Sequence, residues 1–144
     1  MSPINQAVLS ERVAAVERHL ARVQAKLPAT PAELVPNSDA TDSVVLHLWQ
    51  AVQIVIDLAV SSCVRLNLGA PRSYREAFER LVSNGHIDAS LGERLTRAAG
   101  FRNSVAHADE SLDLARVYAA AVAGPADLRA FLARARDGFA KAEN

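Results

Sequence analysis

Leu9, Val13, Val16, Leu20, Val23 and Leu27 recur at spacings of four and three along the first part of the chain. This places one apolar stripe along a helix predicted over residues 4–27. The stripe needs a partner and is too short for a long coiled coil, so it predicts a bundle or a dimer contact. Pro28, Pro31 and Pro36 then mark a loop. Asn37, Ser38 and Asp39 offer caps for a second helix reaching about residue 67. Its apolar surface, made by Val44, Val45, Leu48, Trp49, Val52, Ile56, Ala59, Val60 and Val64, is broad enough for a central helix, and Gly69 and Pro71 are expected to close it.

Ser73 and Glu76 form a capping box for a short helix over residues 74–84, stopped by Gly85. Asp88 or Ser90 can cap a fourth helix running through Leu91, Leu95 and Ala98, with residues 100–107 toward its end. A further helix carries Leu114, Val117, Tyr118 and Val122, is expected to break at Gly124-Pro125, and resumes through Leu128, Phe131 and Leu132. Strand-like alternation, internal repeats and low-complexity tracts are absent from the sequence. The prediction is an all-α, up-and-down bundle of about five helices forming one domain over residues 1–144, long enough to bury about two-thirds of its unfolded surface.

Composition adds restraint more than direction. Sixteen basic side chains balance sixteen acidic ones, so the chain as a whole has no pull toward nucleic acid or membrane. Between Arg65 and Arg102, however, seven arginines face four acids. A polyanion would prefer that stretch, although solvated helix faces with pairs such as Arg75–Glu79 and Glu76–Arg80 explain it equally. The lone Cys63 has no partner for an intrachain disulfide and fits a reducing compartment as a buried thiol. With no basic-then-apolar leader and no uncharged apolar run of about 18 residues, the expectation is a cytoplasmic protein without a membrane segment.

His19, His47, His86 and His107 form neither an H-x-x-x-H pair nor a Cys–His cluster, and there is no glycine-rich phosphate loop or Gly-x-Ser-x-Gly elbow. No metal and no cofactor is expected. What remains is Arg102, Asn103 and His107. Taking Arg102 as zero on a regular helix, Asn103 lies at about 100° and His107 at about 140°, so the three share one arc. A guanidinium can hold a phosphate bidentately, an imidazole titrates near neutrality, and Asn103 could orient that imidazole. These groups suit metal-free phosphodiester chemistry on RNA, in which the 2′-hydroxyl attacks its own phosphate.

The stretch from Gly100 to His107 resembles the Arg-x(4–6)-His motif of the HEPN superfamily. The wider pattern is similar to the HepT-like ribonuclease toxins over roughly residues 42–131. The resemblance is carried by residues 52–59 (VQIVIDLA), 68–78 (LGAPRSYREAF) and Gly100-Phe101-Arg102-Asn103 with His107. It implies a metal-independent endoribonuclease toxin that is dimeric, with its cleft at or near the dimer interface. It also implies a cognate minimal nucleotidyltransferase antitoxin as partner and RNA as substrate. Arg102 and His107 match the catalytic pair, and Asn103 matches the polar residue that follows the Arg. Asp57 aligns with an acidic position on the second helix, as a site member or a helix-packing partner.

One departure is visible. Where many such toxins carry a tyrosine two positions after the His, modified with AMP by the antitoxin, this chain has Asp109. Asp109 could hold Arg102 from nearly the same helical face or cap the next helix. The competing readings are a non-catalytic HEPN module that binds a nucleotide or serves a nucleotidyltransferase as accessory subunit, and a helical interaction protein with no ligand.

Overall fold

A computed structural model describes residues 5–106 and 113–139. Five α-helices follow in order: α1 (Gln6–Lys26), α2 (Asp39–Arg65), α3 (Tyr74–Ser83), α4 (Ala89–Ala106) and α5 (Leu114–Arg136), with a 3-10 turn at Pro31–Glu33 after α1. The fold is all-α, as the sequence predicts. Asn5 starts α1 by accepting from the Ala7 and Val8 amides, so the helix begins at Gln6 and not at residue 4. Leu9, Val13, Val16, Leu20 and Val23 are all buried. They pack chiefly on α2, so the first stripe finds its partner within the chain.

Ser38 is the cap of α2, accepting from the Thr41 amide at 3.2 Å. Its far end closes earlier than Gly69. Asn67 takes a left-handed φ of 60°, and the Leu68 amide reaches back to the Cys63 carbonyl at 2.8 Å, ending the helix at Arg65. Gly69 has another use: a Cβ there would stand 2.7 Å from the Arg80 guanidinium, which donates to the Leu68 carbonyl at 2.9 Å. Val64, expected on the apolar surface, is 53% exposed. By length and hydropathy α2 is apolar enough to cross a membrane, a property that a count of uninterrupted apolar residues misses. Here its apolar side chains pack against α1, α3, α4 and α5, which makes it the core helix.

Ser73 caps α3 through the Glu76 amide, while the Glu76 carboxylate pairs with Arg80 instead of completing the capping box. Asp88 caps α4 through the Leu91 amide at 2.7 Å, and Ser90 accepts from Arg94. α3 and α4 approach closely at Gly92, where a Cβ would lie 2.5 Å from Val82 Cγ2. The break expected at Gly124-Pro125 does not occur: α5 runs unbroken through Pro125. Proline removes one helical hydrogen bond at a cost of about 3 kcal/mol. The buried line of Val117, Ala121, Leu128, Phe131, Leu132 and Ala135 offsets it, because a bend would strip one half of that line from the core.

Phe131 meets Phe78 edge to face at a centroid distance of 6.1 Å and Phe139 at a tilt with a centroid distance of 5.4 Å. Buried His86 donates from Nδ1 to the Phe139 carbonyl at 2.7 Å, tying the α3–α4 loop to the end of α5. The Tyr118 hydroxyl lies within hydrogen-bond reach of the Pro28 and Ala29 carbonyls, at 3.0 and 2.8 Å.

Candidate active site

Ala99 and Phe101, both buried, hold the last turns of α4 in the core and leave Arg102 and Asn103 half-buried on its flank. Arg102 donates through Nε to Gln53 Oε1 on α2, and through a terminal nitrogen to Asn103 Oδ1 at 3.2 Å. Asn103 donates from Nδ2 to the Tyr74 hydroxyl at 3.3 Å. Gln53 donates from Nε2 to Asp57 Oδ1 at 2.9 Å, one turn along α2. Asp57, Gln53, Arg102, Asn103 and Tyr74 thus form one hydrogen-bonded chain drawn from three helices.

The electrostatics of this chain are distinctive. Among the described residues no carboxylate pairs directly with Arg102. The guanidinium is held by two neutral amide oxygens, so its full charge remains available to an anion. It has five N–H donors and two are engaged, which leaves a fork for phosphate oxygens. Arg80 and Arg94, in the basic stretch, pair with Glu76 and Asp127, whereas the pair expected between Arg75 and Glu79 does not form among the described residues. An open cleft of about 1520 Å³ runs between α3, α4 and α5, and of the five hydrogen-bonded residues only Tyr74 lines it. Tyr74 and Phe101 line it, together with Arg75 and Arg97. Among the described residues no three of His, Cys, Asp or Glu gather as a metal cluster would.

A family model described as "Ribonuclease HepT-like" matches residues 16–135. This chain belongs to the HepT-like ribonuclease family. It is 27% identical over 107 residues, 74% of this chain and 80% of the relative, to the mRNA nuclease HepT of Shewanella oneidensis. It also resembles the tri-AMPylated HEPN toxin of that organism, solved in complex with an MNT antitoxin, with a TM-score of 0.81 and 25% identity over 93% of this chain and 99% of that one. The cytosolic protein YutE of Bacillus subtilis, of unknown function, shares the fold alone, with a TM-score of 0.78 at 15% identity over 95% of this chain and 92% of that one.

Within this HepT-like chain, Arg102 and Asn103 stand together as the motif spacing predicts. Asp57 joins them only through Gln53 and is itself exposed. His107 and Asp109 lie outside the described residues, and with them the contact expected between Asn103 and His107. The cap of α5 is Asp113, which accepts from the Ala115 and Arg116 amides, so capping that helix is not the task of Asp109. Gln53 and Tyr74 are not singled out as site residues by the sequence reading. The i,i+4 spacing of Gln53 and Asp57 on a largely apolar helix was the available signal for the first. No spacing signals Tyr74, which sits 29 residues from Asn103.

Proposed function

We propose that this protein is a metal-independent endoribonuclease toxin of a toxin–antitoxin pair, acting as a single helical domain in the cytoplasm. The observation that carries the reading is the Arg102 guanidinium, fixed by Gln53 and Asn103 yet unpaired with any carboxylate among the described residues. In this mechanism Arg102 binds the scissile phosphate and offsets charge growing on its oxygens as the 2′-hydroxyl attacks. His107, five residues on, moves the proton as general acid or base, and Asn103 supports both. Asp57 and Asp109 are supporting acids: the first acts through Gln53, the second stands where related toxins carry a modified tyrosine. The relative named as an mRNA nuclease supports RNA as substrate.

The partner is a minimal nucleotidyltransferase antitoxin, by analogy with the toxin solved with its MNT antitoxin. Because a carboxylate is a poor stable acceptor for AMP, such a partner neutralises this chain chiefly by occluding the site. We further propose a homodimer. The stripe of α1 no longer argues for it, since α2 covers that stripe. The support is the family together with Leu46 and Val64 of α2, which are 50% and 53% exposed.

The test is cleavage of labelled single-stranded RNA in excess chelator. The expected product carries a 2′,3′-cyclic phosphate, and Arg102→Ala and His107→Ala each abolish cleavage while helical circular dichroism is retained. Chelator-sensitive cleavage, or full activity in either variant, would overturn the mechanism. Nucleotide binding without cleavage would favour the non-catalytic accessory reading, and light scattering at micromolar concentration checks the dimer.

A further inference from the structure

The Arg102 side chain is clamped from another helix by the Gln53 amide, and the chemistry of its neighbours makes that clamp one-way. As a carboxylate, Asp57 offers the Gln53 amide acceptors, and Arg102 offers it only donors. With Nε2 on Asp57 and Oε1 on Arg102, Gln53 satisfies both, and a flipped amide would satisfy neither. Asn103 is fixed in the same sense, because its Oδ1 must face the guanidinium and its Nδ2 then reaches the Tyr74 hydroxyl.

We infer that Gln53 is a positioning residue for Arg102, acting as a neutral spacer that anchors the guanidinium to α2 while keeping the Asp57 carboxylate one side chain away from it. This inference rests on the ribonuclease reading and deepens it. Were the carboxylate to meet Arg102 directly, it would neutralise the charge that an RNA phosphate must find. Gln53 uses the Asp57 charge differently: the carboxylate pins the amide, and the amide pins the arginine. The Nε edge of the guanidinium is thereby committed to α2 and one terminal N–H to Asn103, which leaves the other three N–H groups for the substrate.

Cleavage of a dye-labelled single-stranded RNA by the full chain tests this. Removing one hydrogen bond to a charged group, Gln53→Leu lowers kcat about tenfold with helical circular dichroism unchanged. Gln53→Glu sets a carboxylate against the guanidinium and chiefly raises KM for RNA. In a background of Arg102→Lys, which cannot offer the fork, Gln53→Leu has little further effect. A readout independent of cleavage is hydrogen exchange of the Arg102 Nε–H by NMR, assigned through its loss in Arg102→Ala and expected to be about tenfold faster in Gln53→Leu. Unchanged exchange, full kcat in Gln53→Leu, or losses that multiply in the double variant would each overturn the inference. Full activity in Arg102→Ala would instead remove the ribonuclease reading beneath it.

Discussion

Two of the side-chain contacts that α2 makes with its neighbours, six residues apart, differ in kind. At His47 it meets His19 of α1, with the two Nδ1 atoms 3.0 Å apart and the rings at a centroid distance of 5.2 Å. At Gln53 it meets Arg102 of α4. The first contact lies in the most extensive helix pair of the bundle, and its two rings must share one Nδ1 proton to bond at all. The second holds a permanent charge at the end of a helix that leads to the motif histidine. Buried apolar residues flank each contact in sequence, Val44 and Leu48 the first, Val52, Ile56 and Phe101 the second. What separates a structural contact from a candidate site is therefore the unused capacity of its polar groups: each imidazole spends its Nδ1 on the other and keeps one ring nitrogen, and the guanidinium keeps three donors and a permanent charge.

The strongest way to sharpen that comparison is to damage site and core separately. Arg102→Ala is expected to reduce RNA cleavage by about a hundredfold or more while thermal unfolding hardly moves. Phe131→Ala, at a fully buried ring touching Phe78 and Phe139, should cost about 3–5 kcal/mol of stability by leaving a cavity. Activity per folded molecule should survive that change. Denaturant titration read beside an activity assay checks both, and a stability loss in Arg102→Ala as large as that in Phe131→Ala would erase the distinction.

These contrasts also show which features the sequence makes legible. Apolar periodicity identifies the stripe of α1 and places the core on α2, because burial repeats at helical spacing and each residue reports its own side. The Arg102-Asn103 element is legible for the same reason: neighbours in sequence are neighbours on the helix. Pro125 misleads, since its local preference to break a helix is outweighed by contacts of Phe131 and Leu132 that lie beyond any local window. Gln53 and Tyr74 are hidden for a related cause. Their roles exist only once α2, α3 and α4 are docked, and nothing within a few residues of either encodes the docking angle.

A finer probe of the site side is Tyr74→Phe. The hydroxyl accepts from Asn103 and the ring lines the cleft between α3, α4 and α5. Phenylalanine keeps the ring and leaves one Asn103 N–H without its partner at a half-buried position. The expected outcome is a loss of a few-fold in cleavage, about 1 kcal/mol in transition-state terms, with stability nearly unchanged. A loss as large as that in Arg102→Ala would move Tyr74 from supporting Asn103 to contact with the substrate.

The smallest expected effect lies on the structural side and is a pH dependence. His19 is held below the ordinary imidazole range of about 6.5, first by partial burial, then by the positive charges of His47 and Arg18. A histidine whose folded value is depressed binds fewer protons folded than unfolded as the pH drops through that range. Its neutral form is accommodated at and above neutrality, and stability is lost as the pH falls from about 6.5 toward the lower folded value. The geometry gives the same sign: a second proton on the pair sets one Nδ1–H against another across 3.0 Å. His47→Gln removes one charge and retains a polar side chain beside His19, so its midpoint of thermal unfolding should fall less between pH 7 and pH 5 than that of the unaltered chain. Arg102→Ala should fall in parallel with the unaltered chain, because no titrating imidazole of the described residues touches it. Identical slopes in all three proteins would show that the His19–His47 contact carries no proton linkage.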